Sequence, residues 1–211
     1  DYGIPLYLSR SVVQIHGEER ITGVTVVEVD KDLCPKPGTE EFFPCDTLIM
    51  SVGLIPENEL SLKAGIQMDE RTHGAAVDEF YQTSVPGIFA AGNVLHVHDL
   101  VDFVSLEAEA LADSVARCVL CGGLPESDIE IEAESPVGYT VPQRVSGAVD
   151  FRLSMRVRRP LGRCTVEVRQ GETIVASKTL PKAIPAEMIQ MDIKSSKLRA
   201  HEKIEVSVHE K

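Results

Sequence analysis

No apolar run in the 211 residues approaches the roughly 18 that a membrane-spanning helix requires, so no membrane span is expected. Positive charge is scarce, with 21 Lys and Arg against 33 Asp and Glu and a net charge of −12. That excludes the chain as a whole as a bulk nucleic-acid binder. Five cysteines, Cys34, Cys45, Cys118, Cys121 and Cys164, are too few and odd in number for a secreted disulfide framework. A reducing, cytoplasmic setting is the expectation. The sequence begins at Asp1 with neither an initiator Met nor a charged-then-apolar leader, and so reads as a processed chain or a fragment. There is no internal repeat and no low-complexity tract.

The charge that is present is unevenly spread. Residues 1–138 carry 7 Lys and Arg against 25 Asp and Glu, a net of −18, whereas residues 139–211 carry 14 against 8, a net of +6. An acidic and a basic part in one chain point to separate modules.

Pattern along the chain refines that division. Val12, Val13 and Ile15, then Gly17-Glu18-Glu19, then Ile21 to Val29 read as a β-hairpin. Lys31 to Pro44 is a loop broken by Pro35, Pro37 and Gly38. Asp46 to Gly53 has the continuous apolar centre of a strand buried on both faces, and Pro56 prevents its continuation. Residues 57–66 predict a short helix with Asn58 as cap and Gly65 as stop. Val77 to Thr83 is extended, Pro86-Gly87 is a turn, and Ile88 to Gly92 is a second short buried strand. From Leu100 to Val119 the period is helical, with Val101, Val104, Ala108, Leu111, Val115 and Ala116 near one face and Gly122-Gly123 as the end.

Residues 124–138 read as an acidic, extended linker. Beyond it, residues 151–158, 164–169, 173–179, 189–193 and 204–208 alternate apolar and polar side chains. Five half-buried strands in so short a span predict a small antiparallel sandwich or barrel.

The segment Thr83-Ser84-Val85-Pro86-Gly87-Ile88-Phe89-Ala90-Ala91-Gly92-Asn93-Val94 delivers a strand, a glycine and a small polar residue just ahead of a helix start. A backbone without a Cβ approaches a ligand closely, and a helix N-terminus attracts electron-rich groups. The residues alone give an anion or nucleotide site of unspecified kind. His96, His98, Asp99 and Asp102 follow at once. They read either as acid–base groups or metal ligands, or as polar loop residues with Asp99 capping the helix; no metal site is assigned. Cys118-x-x-Cys121 reads as a redox pair or as a buried cysteine near a helix end, where the dipole disfavours a thiolate. Arg152, Arg156 and Arg158, with Ser154, share one strand face. They form a solvated surface, meet an acidic partner, or dock on the acidic module.

Thr83 to Val94 resembles the second flavin-binding motif of the thioredoxin-reductase-like pyridine-nucleotide flavin oxidoreductases. Asp46 to Pro56 (DTLIMSVGLIP) resembles that family's other late motif, and Ile4 to Asp30 resembles the end of its nicotinamide domain. The resemblance covers roughly residues 1–123. It implies that Gly92 lets the backbone pass FAD and that Asn93 takes the place of the ribityl-binding Asp. Val94, Val101 and Asp102 would lie along the flavin, and Gly53 and Pro56 belong to the upstream motif. Glu109 or Ala112 stands where the family has a helix Gly. Neither of the family's Gly-x-Gly-x-x-Gly fingerprints, one for FAD and one for NAD(P), is in this sequence.

The resulting expectation has four parts: 1–45, the end of a nicotinamide-domain-like hairpin region; 46–123, the C-terminal half of an α/β flavin domain; 124–138, a linker; and 139–211, an all-β antiparallel sandwich-like domain. The parent would move hydride between NAD(P)H and FAD, with His96, His98 and Asp99 as the catalytic candidates and the isolated chain inactive. The missing N-terminal part of the same oxidoreductase is the expected partner, with a homodimer or a partner subunit as further partners and no nucleic acid. The alternative is a non-catalytic assembly module that docks a partner through the basic β domain.

Overall fold

The structure, a computed structural model, describes residues 3–51 and 53–210. The chain divides into two compact units, Asp1–Gly53 and Leu54–Lys211. The division falls neither at residue 45 nor in the acidic connector. In the first unit, β1 (Arg10–His16) and β2 (Gly23–Glu28) form the expected antiparallel hairpin, and β3 (Glu41–Phe43) adds a third strand to β2. Val24, Val27 and Val29 are its buried apolar residues. His16 Nε2 lies 2.7 Å from Thr25 Oγ1, and the His16 ring meets Phe42 edge-on.

The strand expected at Asp46–Gly53 is not present in residues 46–51, and Val52 lies outside the described residues. Ile49 is 87% exposed and Met50 is exposed beside it. A buried strand must pair its backbone groups, and among the described residues no strand runs alongside this one. The apolar pattern is present without the neighbours that would make it a strand.

In the second unit α1 spans Glu59–Lys63, shorter than the predicted 57–66, and α2 spans Val101–Cys121. Gly122 at φ +73° terminates α2 by donating its N–H to the Cys118 carbonyl. The expected strand at Ile88–Gly92 is reduced to a single bridge between Gln82 and Phe89. Here too the pairing partner, rather than the residue type, is lacking.

Eight strands follow: β4 (Ile129–Ala133), β5 (Val137–Val141), β6 (Arg144–Val145), β7 (Phe151–Val157), β8 (Cys164–Gln170), β9 (Thr173–Leu180), β10 (Ile189–Ile193) and β11 (Ile204–Glu210). They form a three-stranded sheet in the order β10-β7-β5 and a five-stranded sheet in the order β6-β4-β11-β8-β9. Leu153, Met155 and Ile193 from the first sheet join Val166, Ile204 and Val206 from the second in one core. Fully burying each such side chain stabilises by about 1.5–3 kcal/mol.

One expectation for this region is corrected. The acidic connector is not a free linker. Its alternation places Ile129, Ile131 and Ala133 in the core as β4, with Glu130 and Glu132 outward. β4 pairs with β11 in parallel, whereas the pairings among the strands of residues 139–211 are antiparallel.

Residues 54–123 are fastened directly to these sheets. Val77 N–H donates to Gln143 Oε1 at 2.9 Å, and Gln143 N–H returns to the Val77 carbonyl at 3.1 Å. Arg71 Nη1 donates to the Ala133 carbonyl at 3.1 Å. Ser127 donates to Asp78, and Ser146 N–H donates to Glu79 at 2.9 Å. A small second core of Ile66, Ala75, Val77 and Leu95 includes Val141 from the end of β5.

Candidate functional site

The site begins at a closed turn. Thr83 N–H donates to the Ile88 carbonyl at 2.9 Å, and Gly87 sits at φ +81° between them. Gly92 follows at φ +76°, a conformation that L side chains rarely adopt. Its buried N–H donates to Glu107 Oε2 at 2.5 Å, and a Cβ built there would stand 3.4 Å from Val104 Cγ1. Asn93 is exposed, and its Oδ1 accepts the His98 N–H at 3.1 Å, which leaves its amide N–H groups as the polar atoms it offers outward. The Val94 carbonyl accepts from Asn58 Nδ2 at 2.9 Å, and the same amide donates to the His73 carbonyl at 3.0 Å. Asn58 therefore occupies the N-cap position of α1 without capping its backbone; it clasps two loops instead.

Leu100 is the N-cap of α2, and no side chain caps that end. Val101 is 75% exposed and Asp102 lies exposed in the first turn. The start of this 21-residue helix is thus exposed, with the Phe103 N–H donating to the Leu100 carbonyl at 3.2 Å.

Beneath the turn lie His96, His98 and Glu107, whose ligand-type atoms fall within 4.8 Å of one another. His96 Nε2 is 2.9 Å from Glu107 Oε1, and His98 Nε2 is 3.4 Å from the same oxygen. The two imidazole rings meet edge-on with centroids 4.4 Å apart. His96 is 1% and Glu107 8% exposed. Burial pushes the Glu107 carboxyl up, but the hydrogen bonds from His96 and the Gly92 N–H, with the His98 ring beside them, outweigh it and hold the group at about 2. Glu107 was missed by the sequence reading. Its signal was an acid in the line Val104, Glu107, Leu111, Ser114 and Cys118, which is the inward face of α2.

Asp99 is taken out of this group. Its Oδ1 pairs with Arg156 Nη2 at 2.5 Å, and its Oδ2 accepts the Met188 N–H at 2.8 Å. Arg156 also donates to the Val97 carbonyl at 2.9 Å and to the Tyr139 hydroxyl at 3.0 Å. Asp99 therefore neither caps α2 nor reaches the histidines; it anchors the loop to β7. Arg152 pairs instead with Asp192 of the neighbouring strand, and Arg158 is exposed. Cys118 is half-buried, Cys121 is exposed, and both thiols are free.

A cleft of about 500 Å³ separates α2 from β7 and β10. His98, Phe103, Glu107 and Arg117 line one side, and Arg152 and Gln190 the other. Tyr81 also faces it, its hydroxyl pushed up to about 12 by burial and by the charge of Glu107.

Residues 1–113 match the pyridine nucleotide-disulphide oxidoreductase family. The chain belongs to that family. That match supports flavin and nicotinamide cofactors for the family in general. It is similar to putidaredoxin reductase CamA of Pseudomonas putida, 38% identical over 90 residues, which is 40% of this chain and 21% of that protein. It is also similar to the NADH glutamate synthase of Schizosaccharomyces pombe, 38% identical over 64 residues, 30% of this chain and 3% of that one. The small chain of the NADPH glutamate synthase of Halomonas elongata is 28% identical over 126 residues, 54% of this chain and 27% of that one. The chain thus spans less than a third of the length of each of these relatives.

The residues present fit one edge of a flavin cofactor. Gly92 supplies the left-handed turn, Asn93 an outward amide, and Val101 and Asp102 an uncapped helix start. Gly53 is exposed at φ +86° in the first unit, and Pro56 lies half-buried in the second. Glu109 and Ala112 are both exposed on α2. No helix among the described residues is long and apolar enough to cross a membrane.

Proposed function

We propose that this chain is the C-terminal part of a flavin-dependent oxidoreductase that transfers hydride between NAD(P)H and FAD and on to an acceptor. Family membership over residues 1–113 supports this, and one geometric observation carries it: Gly92 and Asn93 lead into an uncapped 21-residue helix. In this reading Gly92 passes the cofactor and Asn93 donates to a ribityl hydroxyl. The backbone at Val94, Val101 and Asp102 orients the ring system from the helix start. FAD supplies the two-electron chemistry when bound. Gly53 and Pro56 belong to the upstream motif of the same resemblance. The two sheets after residue 128 form a sandwich-like domain appended to the flavin domain half, and the chain alone holds FAD weakly and is inactive, because the sequence has neither Gly-x-Gly-x-x-Gly cradle.

The experiment compares this chain with a protein that includes the residues encoded immediately upstream. The longer protein is expected to purify yellow with one FAD and to reduce an artificial acceptor with NADH or NADPH. Asn93→Leu should lower its flavin content. The 211-residue chain alone should purify without stoichiometric flavin. A yellow, fully loaded short chain would overturn the claim of inactivity; a colourless longer protein would overturn the oxidoreductase reading and leave the assembly module.

A further inference from the structure

We propose that His96, His98 and Glu107 form a binding site for one divalent transition-metal ion of the zinc class. Two imidazole nitrogens and one carboxylate oxygen are the donor set such ions take when a fourth position is left open. The spacing suits them. With bonds of about 2.0–2.1 Å, neighbouring donors of a tetrahedral ion stand about 3.3 Å apart. Glu107 Oε1 lies 2.9 Å from His96 Nε2 and 3.4 Å from His98 Nε2, values on either side of that edge. The longer separation exceeds an ordinary N–H···O hydrogen bond.

Charge and burial point the same way. Among the described residues the only ion-pair partners of the buried Glu107 carboxylate are the two histidines, and no Lys or Arg pairs with it. Each histidine also buries an Nδ1 that has no hydrogen-bond partner among the described residues, so hydrogen bonding leaves one nitrogen of each ring unsatisfied.

The surroundings orient the carboxylate. The Gly92 N–H fixes Oε2 and leaves Oε1 to face both rings, which is the orienting role of a second shell. Asn93 holds the His98 backbone. His98 and Glu107 line the 500 Å³ cleft, which provides an entry path and room for a fourth ligand.

The test uses the full 211-residue chain without a polyhistidine tag, stripped with chelator. Zn²⁺ is titrated calorimetrically and Co²⁺ by its visible absorption. One equivalent of each is expected. His98→Ala and Glu107→Gln should each weaken binding by more than the 10–100-fold typical of second-shell changes. Cys118→Ala/Cys121→Ala should bind as wild type does. Independently of any variant's folding, imidazole ¹⁵N resonances of the wild-type chain should shift with Zn²⁺ at His96 and His98, and not at His16, His73, His201 or His209. The proposal is overturned if neither metal binds, if binding is lost with the cysteines, or if the shifts fall on other histidines.

Discussion

Residues 54–123 and residues 129–210 share one compact unit but are held by different forces. The β region closes on an apolar core, with Leu153, Met155, Ile193, Val166, Ile204 and Val206 at or near zero exposure. The segment before it has few buried apolar side chains and relies on Asn58, Asp78, Thr83, His96 and Glu107, all buried and polar. Apolar burial is non-directional and tolerant of partner, whereas a buried polar group is stable only with its particular partner in place. The β region is therefore built for stability. Residues 54–123 fix one loop geometry around the Gly92 turn.

The largest effect should come from the apolar region. Leu153→Ala removes a fully buried side chain from the middle of β7, and a loss of about 2–5 kcal/mol is expected. Urea denaturation measures it. A loss below about 1 kcal/mol would mean that the two sheets do not share a tightly packed core.

Next is the clasp between the two regions. Asp99 and Arg156 are mostly buried, with 26% and 14% of their side chains exposed. A double-mutant cycle with alanine at both should give a coupling of about 1–3 kcal/mol. The same cycle on Arg152 and Asp192, an exposed pair within one sheet, should give about 0.2–1 kcal/mol. Equal couplings would remove the distinction between clasp and surface pair.

The smallest effect is a pH dependence at the polar seam. Burial pushes the Asp78 carboxyl above its ordinary 3.8, against the hydrogen bonds it accepts from Gln82, Phe80 and Ser127. A carboxyl with a raised folded pKa binds its proton more tightly in the folded protein. Its contribution is full below the unfolded value and is lost as pH rises through the folded one. Wild type should therefore lose stability relative to Asp78→Asn as pH rises from below 3.8 through the range just above it. Urea midpoints across that range test the sign, and a relative gain by wild type would contradict it.

The same contrast explains what was legible in the sequence. Period-2 alternation located β7 to β11 nearly to the residue, because a half-buried strand writes its environment into its own side chains. The helical period located α2 equally well, though Val101, Ala108 and Ala116 of its assigned face are exposed. Asp46–Gly53 and Ile88–Gly92 carry equally strand-like patterns, yet strand pairing is a property of a neighbour and not of the segment. The acidic connector misled in the opposite direction, since its glutamates hid the alternation of Ile129, Ile131 and Ala133. At the candidate site the motif located Gly92 and Asn93, and sequence proximity grouped His96, His98 and Asp99. Only the three-dimensional structure exchanges Asp99 for Glu107, which lies beyond the loop and nearly two turns inside the helix.

The parallel pairing of β4 with β11 bears on how the chain reaches this state. Ile131 faces Ile204 and Ala133 faces Val206 across more than seventy intervening residues. Loop-closure entropy must be overcome before such a contact gives any return, and folds dominated by distant pairings form slowly. During synthesis the connector strand has no long partner until residues 204–206 have left the ribosome, and until then Ile129 and Ile131 remain open to solvent or to a chaperone. Completion of the five-stranded sheet is thereby tied to the last stretch of the described chain.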